Sequence, residues 1–292
     1  MDARRSFPWL LRVVWVILPF AVGPALGPAL HPSSEAVRVA AAAIAWAAWA
    51  VVLVGTLVHH PIGLTALRIV APAATVVAVL AATTGRPSTT ASGLAVGAAA
   101  LAAALALLPA TGLLYVNGPA YPDERRFPLR PPAPLLLGPI ELSAAVVAGA
   151  PVVGALLVAA RAWIPGAAVL VAGIPVAYVL ARSLHGLSRR WVVFVPAGLV
   201  LHDPLTLVEP VLFPLDLVES LGPARAGSDS LDLRQRAAGL DLELLLREEV
   251  PVSLVTPGTP GGTPGSSARV RFTPSRPGQV LAEAATRGFP RG

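Results

Sequence analysis

RSLHGLSRRW, residues 182–191, divides two kinds of sequence. Before it lie long stretches of Ala, Val, Leu, Gly and Pro. After it, short apolar stretches alternate with charged and turn-forming residues. A soluble chain carries about 25% charged residues. This one carries 13% over 292 residues, with 55% hydrophobic residues and a mean hydropathy of +0.70. The stretch therefore reads as the joint between a last membrane helix and a domain outside the bilayer. It predicts a polytopic transmembrane domain over residues 1–184 and a cytoplasmic domain over residues 185–292.

Working back from the joint, six apolar runs approach the roughly 20 residues that span a bilayer. They cover residues 11–30, 37–58, 67–83, 91–116, 142–160 and 166–184. The first is expected to be a retained helix rather than a signal peptide, because Arg12 interrupts its start and no A-x-A cleavage pattern follows. Pro19, Pro24 and Pro28 are expected to kink it. Gly93 and Gly97 stand at GxxxG spacing in the fourth run, where ordinary packing between helices of the same chain is expected. Residues 117–134 form the longest hydrophilic break and read as a loop.

Arginine placement gives the orientation. With the N-terminus inside, the inner segments carry Arg4, Arg5, Arg12, Arg68, Arg125, Arg126, Arg130, Arg182, Arg189 and Arg190, and the outer ones only Arg38, Arg86 and Arg161. Both termini are thus expected in the cytoplasm, with the protein in a bacterial plasma membrane. The net charge of +6 has the same origin. Residues 1–183 hold eleven Arg against five acids, whereas residues 184–292 hold eleven of each. A nucleic-acid binder would show its cationic face on the soluble domain, so nucleic acid is excluded as a partner. Cysteine is absent, which removes disulfides, thiolate metal sites and a cysteine nucleophile.

After the joint the periodicity shortens. Strands are expected at residues 191–195, 198–202, 206–209, 211–215, 240–247, 252–255 and 268–272. Leu240, Leu242, Leu244 and Leu246 share one face, and Val270 and Phe272 point inward against Arg269 and Arg271. Residues 217–221 are open between a strand and a turn. TPGTPGGTPGSS, residues 256–267, is expected to be a disordered loop. PGQVLAEAATR, residues 277–287, reads as a closing helix, with Pro277 in its first turn and Gly288 beyond its end.

Three stretches carry a resemblance: RWVVFVPAGLVL (190–201), VLFPLDLVESL (211–221), and the closing helix after Phe272-Thr273-Pro274. In these and in its layout the chain resembles uncharacterised actinobacterial integral membrane proteins with a C-terminal bacterial pleckstrin-homology-like domain. The resemblance implies a membrane all-α bundle of about six transmembrane helices followed by a small, mainly-β domain of about seven strands and a C-terminal helix. It implies a scaffold or interaction domain with no assigned chemistry. Headgroup binding in the eukaryotic relatives uses basic residues around the first hairpin. Here that turn is the uncharged Pro196-Ala197-Gly198, and headgroup binding is not carried over.

Candidate functional residues are few. Glu141 is the one acid close to an apolar run. It is either an intramembrane carboxylate on an ion path or, following Gly138-Pro139, a first-turn carboxylate favoured by the helix dipole. Arg125, Arg126 and Arg130 lie in the hydrophilic break. They are either a solvated linker or a contact with anionic lipid, at about 1 kcal/mol per Arg, or with the C-terminal domain. Arg12 and Arg68 are expected to snorkel, or to pair with Glu141. His59 and His60 are neighbours whose side chains point apart on a helix and read as interfacial rather than as metal ligands. His202-Asp203 reads as turn chemistry. No P-loop, H-E-x-x-H, G-x-S-x-G or G-x-G-x-x-G motif is present. No cofactor or metal is implied. The leading reading is a non-enzymatic integral membrane protein that presents an interaction domain at the membrane face, with the lipid bilayer and a protein partner, or a second copy, as its contacts. The alternative is a transporter or channel subunit with a regulatory cytoplasmic tail.

Overall fold

The computed structural model describes residues 3–225 and 227–292, with side chains from residue 8 onward. Eight helices and eight strands are found among them, in two compact units. One unit contains residues 1–115 and 141–184. The other contains Val116–Ile140 and His185–Gly292. Residues 116–140, read from the sequence as part of the membrane domain, fall in the same unit as residues 185–292.

The helical unit holds α1 (Ala3–Leu30), α2 (Glu35–Leu57), α3 (Pro61–Thr84), α4 (Thr89–Leu107), most of α5 (Pro109–Asn117), α6 (Pro139–Ala159) and most of α7 (Trp163–Leu187). All but α5 are long and apolar enough to cross a membrane, so the chain is that of a multi-pass membrane protein. Local chemistry sets the helix starts. The hydroxyl of Ser34 accepts from the Val37 N–H ahead of α2, Ser88 does the same for Ala91 ahead of α4, and Pro61 opens α3. The run at residues 91–116 is divided, because Leu108 takes an extended conformation ahead of Pro109 and ends α4 there. The core of α1–α4 is built from small residues and a few large ones. Ala71, Ala78, Ala95, Ala99, Ala102 and Ala106 are fully buried beside Leu11, Trp15, Leu64 and Leu67. Trp15 and Trp49 clasp α1 to α2, each indole N–H donating to the other's carbonyl at 3.0 and 2.9 Å. Gly93 and Gly97 are not part of this packing. A Cβ on either would meet nothing within 4 Å. Backbones approach closely instead at Gly55 and Gly63, where a Cβ on Gly63 would lie 3.1 Å from the Gly55 Cα. In the α6–α7 hairpin, Gly154 and Gly166 receive the side chains of Leu170 and Val158.

The β unit has two four-stranded sheets and one closing helix. The first sheet runs β1-β2-β3-β4: β1 (Arg125–Pro128), β2 (Trp191–Val195), β3 (Gly198–His202) and β4 (Val211–Pro214), all antiparallel. The second runs β5-β7-β8-β6: β5 (Val218–Pro223), β6 (Leu231–Asp232), β7 (Leu242–Leu254) and β8 (Thr263–Phe272). α8 (Pro277–Thr286) follows. β1 lies in what reads as a loop between spans. Its four residues pair with β2, more than sixty positions away, in the register Arg126↔Val193. Asn117 closes its backbone. The Asn117 side-chain amide donates to the Arg126 carbonyl at 2.7 Å and accepts from the Arg126 N–H at 2.9 Å. At the β2–β3 turn Gly198 has φ +150°, and a Cβ there would sit 2.2 Å from the Phe213 carbonyl oxygen. The face that packs inward carries Phe127, Val192, Phe194, Leu199, Leu201 and Phe213, each at most 2% exposed.

Three expectations need correction, and one open reading is decided. Residues 206–209 are a turn with one isolated bridge, Leu207↔Leu254, rather than a strand. The strands expected at 240–247 and 252–255 are one long strand, β7, whose register shifts between Leu245 and Val250. Residues 218–221 resolve into β5, while Leu217 ends a short 3-10 turn (Leu215–Leu217). The stretch 256–267 is not a disordered loop throughout. Residues 263–267 pair with residues 250–254, because the long hairpin satisfies their backbone groups whatever their side chains, and only the Pro/Gly tip remains a turn. The alternation of Leu242, Leu244 and Leu246 is buried as expected, while Leu240 lies outside the strand and is half exposed.

Candidate functional site

The residues singled out in the sequence fall in both units. Glu141 stands in the first turn of α6 and is exposed, where the helix dipole favours a carboxylate. It makes no ion pair among the described residues. Arg12 and Arg68 do not pair with it. The Nε of Arg12 donates to the Thr56 carbonyl at 2.8 Å, and its guanidinium lies 5.3 Å from the Trp9 ring centroid. The Nε of Arg68 lies 3.4 Å from the Ala106 carbonyl oxygen. His59 packs edge-on against the Tyr115 ring at 5.2 Å, and the His60 ring accepts from the Ile62 N–H. No cluster of groups able to hold a metal occurs among the described residues.

Arg125, Arg126 and Arg130 all belong to the β unit, on or just after β1. Strand alternation sends the first two to opposite faces. Arg125 lies over Phe127 at 5.9 Å. Arg126 pairs with Glu124 at 2.8 Å and covers the Trp191 ring at 5.6 Å. The Arg130 side chain passes over Gly239, where a Cβ would collide with its Nε at 2.9 Å. Arg126, Trp191 and His202 make a row across β1, β2 and β3. The His202 ring stacks on Trp191 at 5.0 Å with planes 16° apart, and its Nδ1 lies 2.7 Å from the Arg189 carbonyl oxygen. Burial holds the His202 pKa below the usual histidine value, which the hydrogen bond to Arg189 opposes.

Beneath this row lies the feature that the sequence reading passed over. Arg190 and Asp203, 1% and 0% exposed, form a two-pronged ion pair with both N···O distances at 2.7 Å. The Nη1 of Arg190 donates to the Arg130 carbonyl at 2.9 Å, and Asp203 also accepts from the Leu205 N–H at 3.1 Å. The pair ties the first hairpin to the segment that brings in β1. A signal for it was present. The β2–β3 hairpin sets Trp191 opposite His202, so Arg190 and Asp203 are the next facing positions. A buried, mutually satisfied pair of this kind holds geometry and does no chemistry of its own. Two hydroxyls of the β unit donate to carboxylates, Thr273 to Asp241 at 2.8 Å and Ser266 to Glu249.

A groove of about 290 Å³ in the β unit is bordered by β5, α8 and residues 289–292. Leu221 on β5 donates its N–H to the Pro290 carbonyl at 2.9 Å and accepts from the Gly292 N–H at 3.3 Å. Phe289 is buried edge-on against Phe194 at 5.2 Å. Residues 290–292 thus lie along the β5 edge through one isolated parallel bridge, Leu221↔Arg291.

The class these features define is a multi-pass membrane protein with a small two-sheet β unit interrupted by a helical hairpin. No family model, curated protein or solved structure matches the chain.

Proposed function

We propose that the protein is a non-enzymatic membrane protein that presents a pleckstrin-homology-like interaction domain at the cytoplasmic face of a bacterial plasma membrane. One observation carries this reading: the connectivity of the β unit. Leaving aside the two-residue β6, it consists of four antiparallel strands, then a three-stranded antiparallel sheet, then a closing helix. The resemblance implies about seven strands and a closing helix, and a small two-sheet unit ending in a helix supports that reading, although β1 comes from before the α6–α7 hairpin. Its first two strands are separated by the membrane hairpin α6–α7, so the chain passes between the β unit and the membrane segments at three points. A domain tethered at three points is suited to holding a partner at a membrane rather than to diffusing with it.

The β5 edge supports strand addition as the mode of partner binding. It already accepts residues 290–292, and the groove beside it is apolar on its α8 side, with Leu281, Ala284 and Ala285. The test is crosslinking and affinity capture of the intact protein from native membranes, alongside a chain truncated after Arg190 and one lacking residues 290–292. Under this reading truncation abolishes capture and removal of residues 290–292 increases it. Capture unchanged by truncation moves the function to the helical unit. The transporter reading then takes precedence, with Glu141→Ala as its first variant.

A further inference from the structure

The strongest unexplained feature outside the β unit lies at one end of the α1–α4 bundle. There the start of α1, the end of α2, the start of α3 and the end of α4 meet α5. The Tyr115 side chain is fully buried, and its hydroxyl has no hydrogen-bond partner among the described residues. A buried donor left unmade costs about 1–3 kcal/mol, so a hydroxyl held in this way marks a missing partner. Its neighbours are cationic or donors. His59 packs edge-on against the Tyr115 ring. The backbone of Gly63 approaches the opposite part of the ring, and a Cβ there would lie 3.3 Å from the Tyr115 Cε1. Arg12 is close enough to act electrostatically on both Tyr115 and His59. Its Nε is committed to the Thr56 carbonyl, and its terminal nitrogens find no carboxylate among the described residues. Arg68, a second guanidinium at the same end, lies 3.4 Å through its Nε from the Ala106 carbonyl oxygen and pairs with no acid among the described residues.

Two arginines inside apolar helices without a carboxylate are costly in a bilayer. Among the described residues no acid meets either arginine, and the acids of the described spans, Glu35 and Glu141, each stand in the first turn of their helix. An anion that also accepts from a hydroxyl satisfies both the arginine and the tyrosine. We propose that this end of the bundle, through Arg12, Tyr115 and His59, binds a phosphate group, supplied by an anionic lipid headgroup or by free phosphate. Arg12 provides charge-assisted donors and Tyr115 its hydroxyl, and the Trp9 ring over Arg12 fixes the guanidinium. The inference is independent of the function proposed for the β unit.

The test uses the full chain in phosphatidylcholine bilayers with and without phosphatidylglycerol, and in phosphatidylcholine alone with millimolar inorganic phosphate. Thermal unfolding and the lipid retained in native mass spectrometry are read for the wild type, Arg12→Gln and Tyr115→Phe. The expected result is a raised unfolding midpoint and retained phosphatidylglycerol in the wild type. Loss of one charge-assisted contact lowers retention about tenfold in either variant. Stabilisation by inorganic phosphate alone, lost in the same variants, supports the phosphate site and assigns it to the free ion. Tyr115→Phe keeps the packed ring and removes an unsatisfied group, so it folds, and its failure to retain lipid cannot be ascribed to misfolding. Equal stability of the wild type under all three conditions overturns the proposal. So does phosphatidylglycerol retention by Tyr115→Phe and Arg12→Gln equal to that of the wild type.

Discussion

Arg190 in the β unit and Arg12 in the helical unit are both drawn out of water, and the chain treats them differently. Arg190 is met by Asp203 through two parallel hydrogen bonds and by the Arg130 carbonyl. Arg12 is met by one carbonyl and an aromatic face. The β hairpin puts a facing position within reach, so a carboxylate there closes the charge. The spans carry no acid beyond their first turns, so a helix-bound arginine can use only backbone oxygens freed near helix ends. Charge is thus a structural lock in one unit and an open valence in the other.

The largest effect that tests this contrast is expected from Asp203→Ala. Removing one member of a buried pair costs about 3–5 kcal/mol, because the other charge stays buried. Hydrogen exchange should show β2 and β3 losing protection while α1–α4 keep theirs. A double replacement, Arg190→Met with Asp203→Leu, should recover most of that protection, since apolar pairs of similar volume are often neutral in such sites. If the double variant is as damaged as the single one, the lock is not electrostatic.

Next comes Phe289→Ala, which empties the cavity against Phe194 and releases residues 290–292 from β5. A loss of about 3–5 kcal/mol is expected from the cavity, read as the urea midpoint of the β unit. A smaller loss with unchanged exchange at β5 would separate the closing segment from the core.

Asn117→Ala is expected to cost about 1–3 kcal/mol by leaving the Arg126 backbone groups unpaired. The readout is exchange of the β1 amides alone. Loss spreading into β2 would show that β1 is integral to the sheet rather than an attached edge.

The smallest effect concerns pH. His202 has its folded pKa lowered by burial, so the unfolded chain binds the extra proton first. Its contribution is present above the unfolded value near 6.5 and is lost as pH falls through the folded value. The β unit should melt lower at pH 5 than at pH 7.5, and the difference should shrink in His202→Gln. A difference of the same size in that variant would place the titration elsewhere.

The candidate residues show how far local reading reaches. The first-turn position of Glu141 was legible, because a Gly-Pro ahead of an apolar run starts a helix there. The clustering of Arg125, Arg126 and Arg130 around the first β hairpin was not, since RRFP carries no signal that separates a four-residue strand from a charged loop. The Arg190–Asp203 pair was readable in principle from the hairpin register. Arginines next to a membrane helix, however, satisfy the topology rule so well that no partner is sought for them. Tyr115 stands at the end of an apolar run like any interfacial aromatic, and only the packing of His59 and Gly63 shows that its hydroxyl is shut in.

The sequence by itself determined the six spans, the joint near residue 185, the inward faces of Leu242, Leu244, Leu246, Val270 and Phe272, and the closing helix. Each is set by apolar length or period within a few turns of chain. Only the tertiary structure decided that residues 116–140 belong to the β unit, that β7 and β8 order half of a Pro/Gly/Ser stretch, and which arginine finds an acid. These depend on pairing between segments up to sixty and more residues apart, where backbone hydrogen bonds and burial override what the local residues prefer.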